Sequence, residues 1–231
     1  MELVRAASLT GYFAVAEQLR LDSTALLRRA GLTRSMLGDP ELMLSARSVV
    51  QLLEESAEAS SCLTFGLRMA DRRQLSDIGL ISLLIVHQPT LGEALEVLAE
   101  YRNRINSNLT LQVEDHDEAI FLREHFALDP PLYSRQVSDL ALGVLYKLCR
   151  SVVPERWRPQ CVSFSYERPG PSDRQVYDRL FDCPLQFGSD FDGMVIRKAD
   201  MDQANPLANM ALATHARELV CAMISPTDRS V

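Results

Sequence analysis

The sequence predicts an α+β fold: a helical N-terminal portion followed by a mixed or antiparallel sheet of about five strands with packed helices. Three observations carry this. Up to about residue 105, apolar residues recur at intervals of three and four, the spacing of a helix buried on one side. From residue 106 the period drops to two, and the first alternating segments bracket a polar turn as a hairpin does. Beyond the hairpin, helical and extended patterns interleave, an order that layers helices on a sheet.

Taken in order, Val49, Leu52, Leu53 and Ala57 define an amphipathic helix behind a cap at Ser45 or Ser48. Thr90-Leu91-Gly92-Glu93 has the pattern of a capping box, and Leu91, Ala94, Leu95, Leu98, Arg102 and Ile105 then fall on one face, with Pro89 ending whatever precedes. Leu109, Leu111 and Val113 alternate, Glu114 to Glu118 make an acidic turn, and Ile120, Leu122 and Phe126 resume the alternation. Pro130-Pro131 breaks the pattern before Val137, Leu140, Ala141, Val144, Leu145, Leu148 and Val152 trace a long buried helix stripe. Val162, Phe164 and Tyr166 read as a third strand, and Ser172-Asp173-Arg174-Gln175 as a second capping box opening a helix that Cys183-Pro184 stops. Leu185 to Phe187 and Met194 to Ile196 are two further short strands. Asn205-Pro206 looks like a cap with Pro at the first helical position, and Leu212, Ala216, Leu219, Val220 and Met223 line one side of the helix it would open.

A chain of 231 residues can bury roughly 70% of its unfolded surface and needs no disulfide or metal to hold a core. The expected organisation is a mainly helical subdomain over 1–105, a sheet-containing subdomain over 106–204 that shares its core, and a C-terminal helix and linker over 205–231. No internal repeat or low-complexity run interrupts it.

The formal charge is −7, from 31 acidic and 24 basic side chains. Proteins that grip DNA through its phosphates rely on a basic face, so this chain by itself is a poor candidate for that role. Cys62, Cys149, Cys161, Cys183 and Cys221 are odd in number, irregularly spaced and without C-x-x-C pairs, which points to reduced core thiols in a reducing compartment. No apolar run approaches the ~20 residues needed to cross a bilayer, so no membrane association is expected. Residues Ala6 to Ala16 imitate a signal peptide only weakly, with Glu2 before and Glu17 after; a cytoplasmic location is expected.

Catalytic signatures are missing: G-x-S-x-G, G-x-G-x-x-G, the P-loop and H-E-x-x-H do not occur, and neither cofactor nor metal is called for. His116 between Asp115 and Asp117 reads as a solvated turn rather than a metal ligand. Residues 23–37 resemble helix, glycine turn, helix, yet Gly38-Asp39-Pro40 cuts the second helix after about five residues, too short for reading a major groove. A helical corner packing Leu26, Leu27, Leu32 and Leu37 inward is expected instead. Basic side chains are arginine except at Lys147 and Lys198. Arg102 and Arg104, beside Tyr101 at the end of the capped helix, either complement the helix dipole or form a carboxylate-binding fork.

Gly79-Leu80-Ile81-Ser82-Leu83-Leu84, Gln88-Pro89-Thr90-Leu91-Gly92-Glu93-Ala94-Leu95 and Tyr101-Arg102 together resemble the signature of the arabinose-binding-type N-terminal domain of AraC/XylS-family bacterial transcriptional regulators. Phe65-Gly66-Leu67-Arg68, Trp157-Arg158-Pro159, Tyr177 and the run from Phe181 to Gly188 extend the likeness, which spans about residues 9 to 212. The resemblance implies an effector-sensing or dimerising domain: a small-molecule effector of unknown identity, a homodimer, and DNA bound only through a C-terminal helix-turn-helix domain expected beyond Val231. It carries over no catalytic residues. His87, Tyr101, Arg102 and Arg104 are the ligand-site candidates. The rival expectation is a small cytoplasmic enzyme using His125 with Asp129 or Asp139 as acid and base.

Overall fold

The computed structural model describes residues 2–106 and 108–224, with side chains except at 102–105 and 223–224. The first half contains β1 (Leu3–Arg5), α1 (Tyr12–Gln18), α2 (Ser23–Arg29), α3 (Arg34–Leu37), β2 (Met43–Ser45), α4 (Ala46–Ala59), α5 (Phe65–Arg72), α6 (Leu80–Val86) and α7 (Leu91–Ile105). The second contains β3 (Leu109–His116), β4 (Ala119–Phe126), α8 (Arg135–Val152), β5 (Cys161–Phe164), α9 (Pro171–Phe181), β6 (Leu185–Phe187), β7 (Asp192–Arg197) and α10 (Met210–Ile224). Short 3-10 turns occupy 6–9, 75–78 and 198–200. The fold is α+β.

The helical half begins with an unexpected strand pair. β1 and β2 run antiparallel with Val4 opposite Leu44, both buried. Three residues each are too few for an alternating pattern to register in the sequence. Between them, Asp22 accepts the Ala25 N–H (3.0 Å), Gly31 turns the chain at φ +69°, and Thr33 accepts the Met36 N–H (3.3 Å). The four-residue α3 that follows makes a packed corner, with Leu26, Leu27 and Leu32 buried. Ser45 caps α4 through the Ser48 N–H (3.4 Å), and Val49, Val50, Leu52, Leu53 and Ala57 turn inward. At α7, Thr90 Oγ1 accepts the Glu93 N–H (3.2 Å) while its own hydroxyl donates to the Glu93 carboxylate (3.4 Å). A bridge pairs Thr90 with Ala204, the Asn205 N–H donating to the Pro89 carbonyl (2.8 Å) and the Leu91 N–H to that of Gln203 (3.4 Å).

The main sheet has the order β3-β4-β7-β5-β6, antiparallel except for the β5–β6 pair. Its inner face carries Ile120, Leu122, Met194, Ile196 and Val162, all buried, and α8 packs against this face. α5 crosses α8 so closely that a Cβ on Gly66 would lie 2.1 Å from the Gln136 carbonyl oxygen, and one on Gly143 would lie 2.6 Å from the Ala70 Cβ. The Gly66 N–H also donates to Gln136 Oε1 (2.9 Å). Farther along, Gly143 of α8 meets Ala70 in the last turn of α5. There Lys147 of α8 donates to the carbonyls of Ala70 (3.1 Å), Asp71 (2.7 Å) and Arg73, answering the acceptors a helix C-terminus leaves open.

Two helix starts differ from expectation. α9 opens at Gly170, a glycine with no side chain to cap with, and Pro171 in its first turn supplies a helical φ and leaves no N–H unsatisfied. α10 begins at Met210, capped by Asn209 accepting the Leu212 N–H (3.1 Å). Asn205 instead clamps the end of α6, donating to the carbonyls of Val86 (2.7 Å) and Gln88 (2.8 Å). α10 docks on α6 through Ala213, Ala216 and Val220, leaving Leu212 and Leu219 outside. One continuous apolar cluster runs from Val4 to Val220 and takes in both halves of the chain. Among the described residues no helix is long and apolar enough to cross a membrane, and the cysteines are free thiols.

Candidate functional site

A cavity of about 130 Å³ lies where the N-terminal segment, α4, α7, α8 and the β3–β4 hairpin meet. Its walls are chiefly aliphatic: Val49 and Leu53 from α4, Leu98 from α7, Leu140 and Val144 from α8, and Leu111 from β3. Set into this lining are Arg5, Ser8, Arg73, Asp77 and Glu124.

Arg5 reaches the site because β1 ends there. One of its terminal nitrogens donates to the Ile78 carbonyl (3.1 Å) and the other pairs with Glu41 (2.5 Å). Gly79 makes room: at φ +84°, a Cβ on it would sit 3.1 Å from the Arg5 guanidinium. Arg73 follows α5 directly and donates to the Ala7 carbonyl, and among the described residues no carboxylate lies within ion-pair distance of it. Burial pulls its pKa down to about 10, Asp77 opposes the shift, and the like charge of Arg5 adds to it. Arg73 therefore stays cationic at neutral pH. The Nε–H groups of Arg5 and Arg73 and the Ser8 hydroxyl are buried without hydrogen-bond partners. Glu124 comes from the inner face of β4 and also holds a buried, unpartnered oxygen; burial and then Asp192 raise its pKa well above the usual carboxylate range.

A second buried polar centre lies on the other side of the sheet-facing helix. Asp139 of α8 is fully buried and accepts the hydroxyls of Tyr166 and Tyr177 (2.8 Å). Arg135 Nε stands 3.8 Å from its carboxylate, the same guanidinium donates to Tyr177 Oη (2.8 Å), and its plane lies 4.1 Å above the Tyr166 ring. Burial raises the Asp139 pKa to about 7, against the lowering effect of the two hydroxyls and Arg135. Phe164 and Phe187 stack on each other and meet the Tyr177 ring edge to face, Phe181 packs edge-on against Phe164, and no cavity opens onto the group among those described.

Of the residues singled out from the sequence, His87 holds the Leu207 carbonyl through Nδ1 (2.9 Å), on the seam between α6 and the approach to α10. Tyr101 is buried on α7, and neither it nor His87 lines the cavity. The Arg102 and Arg104 side chains lie outside the described residues. His125 is exposed and shares a second cleft, of about 300 Å³, with Tyr133 and Ser138. Asp129 is exposed with its N–H on Glu2 (2.5 Å), and Asp139 is sealed in the tyrosine cluster, so the structure does not bring the three together. Among the described residues no group of three or more His, Cys, Asp or Glu is placed to hold a metal. The polar residues of the cavity were missed. Glu124 had a signal: it continues the Ile120, Leu122, Phe126 alternation and so falls on the buried face. Arg5 sits in the apolar run Leu3 to Ala7.

Helices packed on a five-stranded sheet, with an apolar cavity and buried ions between them, define a two-layer α+β domain. Residues 21–205 match the family model described as the arabinose-binding domain of AraC transcription regulator, N-terminal, and the chain belongs to that family. Among curated proteins it is similar to the HTH-type transcriptional regulator VirS of two Mycobacterium tuberculosis strains, CDC 1551/Oshkosh and H37Rv. Identity is 25% over 196 residues, 84% of this chain and 57% of the relative. The chain thus spans a little over half the length of these relatives. The crystal structure of the transcriptional regulator CdpR from Pseudomonas aeruginosa shares the fold, with TM-score 0.61, 16% identity, and coverage of 89% of this chain and 62% of that one.

Proposed function

We propose that this chain is the effector-sensing and dimerising part of an AraC-type regulator, acting in the cytoplasm, and that DNA is bound by a separate C-terminal helix-turn-helix domain of the whole protein. The observation that carries the sensing role is the cavity's position. It is walled by the N-terminal segment, three helices and the hairpin, so an occupant contacts all of them at once and can favour one packing over another. A small molecule with different affinity for the two packings then shifts the output by its coupling free energy.

The test is a promoter reporter driven by the whole regulator carrying Ala141→Phe, which puts a ring into the cavity from α8. Output is expected to move at least about fivefold from wild type without added effector, the lower end of ordinary allosteric coupling. Output and inducibility equal to wild type would overturn the sensing reading. For dimerisation, the supporting feature is the outward pair Leu212 and Leu219, one heptad apart on α10 beside its docked stripe. Sedimentation is expected to give twice the 25.9 kDa chain mass, and a monomer on replacing both leucines by glutamate. A wild-type monomer at high micromolar concentration would refute it.

A further inference from the structure

The cavity has a chemical polarity that narrows what it can hold. Its aliphatic walls ask for an apolar body, and the size is telling: a dry apolar cavity of roughly 150 Å³ accepts a benzene ring, and this one is about 130 Å³. One wall is different. Arg5, Ser8 and Arg73 present three buried donor hydrogens with no acceptor, two of them on guanidinium Nε. Guanidinium does not shed its proton in a protein, so an uncompensated buried arginine must find either an anion or water. Arg5 has Glu41, but Arg73 has no carboxylate within ion-pair reach among the described residues. Asp77, the anionic side chain that also lines the cavity, accepts the Gln74 N–H (2.9 Å) and so caps the turn at 75–78. Glu124 also lines the cavity, and burial and then Asp192 raise its pKa, which favours its neutral acid over the carboxylate.

We infer that the cavity binds a compact monocarboxylate, with its carboxylate set against the Nε–H groups of Arg73 and Arg5 and the Ser8 hydroxyl, and an apolar body of about one six-membered ring between α4, α8 and β3. This rests on the sensing reading above and specifies its ligand class. Arginine suits the head group because its donors lie in a plane that matches the two carboxylate oxygens. The carboxylate supplies the direct ion pair that Arg73 lacks among the described residues, Asp77 acting only at longer range. A neutral sugar would leave that charge uncompensated and meet aliphatic walls with its hydroxyls, so it fits the site poorly.

The experiment is thermal unfolding of the 231-residue chain with phenylacetate and cyclohexanecarboxylate, beside phenylacetamide and inorganic phosphate as the neutral and the purely anionic controls. Either carboxylate at about a hundred times its Kd is expected to raise Tm by several degrees, with the amide and phosphate giving less than about 1 °C. Arg73→Met is expected to abolish the carboxylate shift while leaving the unliganded Tm unchanged or higher, because a methionine replaces a buried charge that has one carbonyl acceptor and no ion-pair partner. Ser8→Ala, a smaller change, is expected to weaken carboxylate binding about threefold to tenfold, the worth of one hydrogen bond. An equal shift by the amide, an equal shift by phosphate, no shift by either carboxylate, or a full shift retained in Arg73→Met each overturns the proposal. These outcomes leave the reporter result with Ala141→Phe untouched, so a sensor for a different ligand class is distinguished from no sensor at all.

Discussion

Asp139 receives the hydroxyls of Tyr166 and Tyr177 and has Arg135 as its counter-charge, whereas Arg73 has one carbonyl acceptor and, among the described residues, no carboxylate within ion-pair distance, Asp77 acting on it only from farther off. Aromatic rings fill the space around the first centre; an aliphatic cavity adjoins the second. A buried charge that the fold compensates is part of what makes the fold unique, and removing one member leaves its partners stranded. A buried charge that the fold leaves open lowers stability and persists where something else completes it. On the sensing reading, the difference separates framework from ligand site in one small domain.

Three measurements break or sharpen that contrast. The largest effect is expected from Asp139→Ala, which strands Arg135 and two tyrosine hydroxyls and should lower unfolding free energy by about 3–5 kcal/mol in urea titration. A loss under about 1 kcal/mol would mean that the cluster is not framework. Next is pH. Because burial lifts the Asp139 pKa from its ordinary 3.8 to about 7, the folded state binds a proton that the unfolded chain has released between those values. The Asp139 contribution is thus fully present below about pH 4 and is lost as pH rises through about 7. Wild type minus Asp139→Asn should show this fall, on the order of a few kcal/mol across the window; a difference that is flat or rises with pH contradicts it. The smallest change belongs to Arg73→Met without ligand, where stability is expected within about 1 kcal/mol of wild type or above it. A loss comparable to that of Asp139→Ala would place Arg73 with the framework and erase the distinction.

The long elements were legible because their signals are local. The stripe Val137 to Val152, the Thr90 cap and the alternation through Leu122 each lie within one helix or strand, and each element stands where its pattern put it. The misread starts of α9 and α10 are equally instructive. Ser172 and Asn205 both have cap chemistry, yet Pro171 had already set the helical φ upstream of one, and the carbonyls of Val86 and Gln88 claimed the side chain of the other. β1 and β2 were invisible because their pairing joins residues about forty positions apart through three-residue strands.

The sequence by itself determined the order of helices and strands, the α+β class and the family likeness, since period, caps and motif spacing act over a few neighbouring residues. Only the tertiary structure decided that Arg5, Ser8 and Arg73 share a wall and that His125, Asp129 and Asp139 do not form one site. Whether a charged side chain is buried, and whether anything answers it, depends on groups brought from distant parts of the chain. No local pattern records the presence or absence of such a partner.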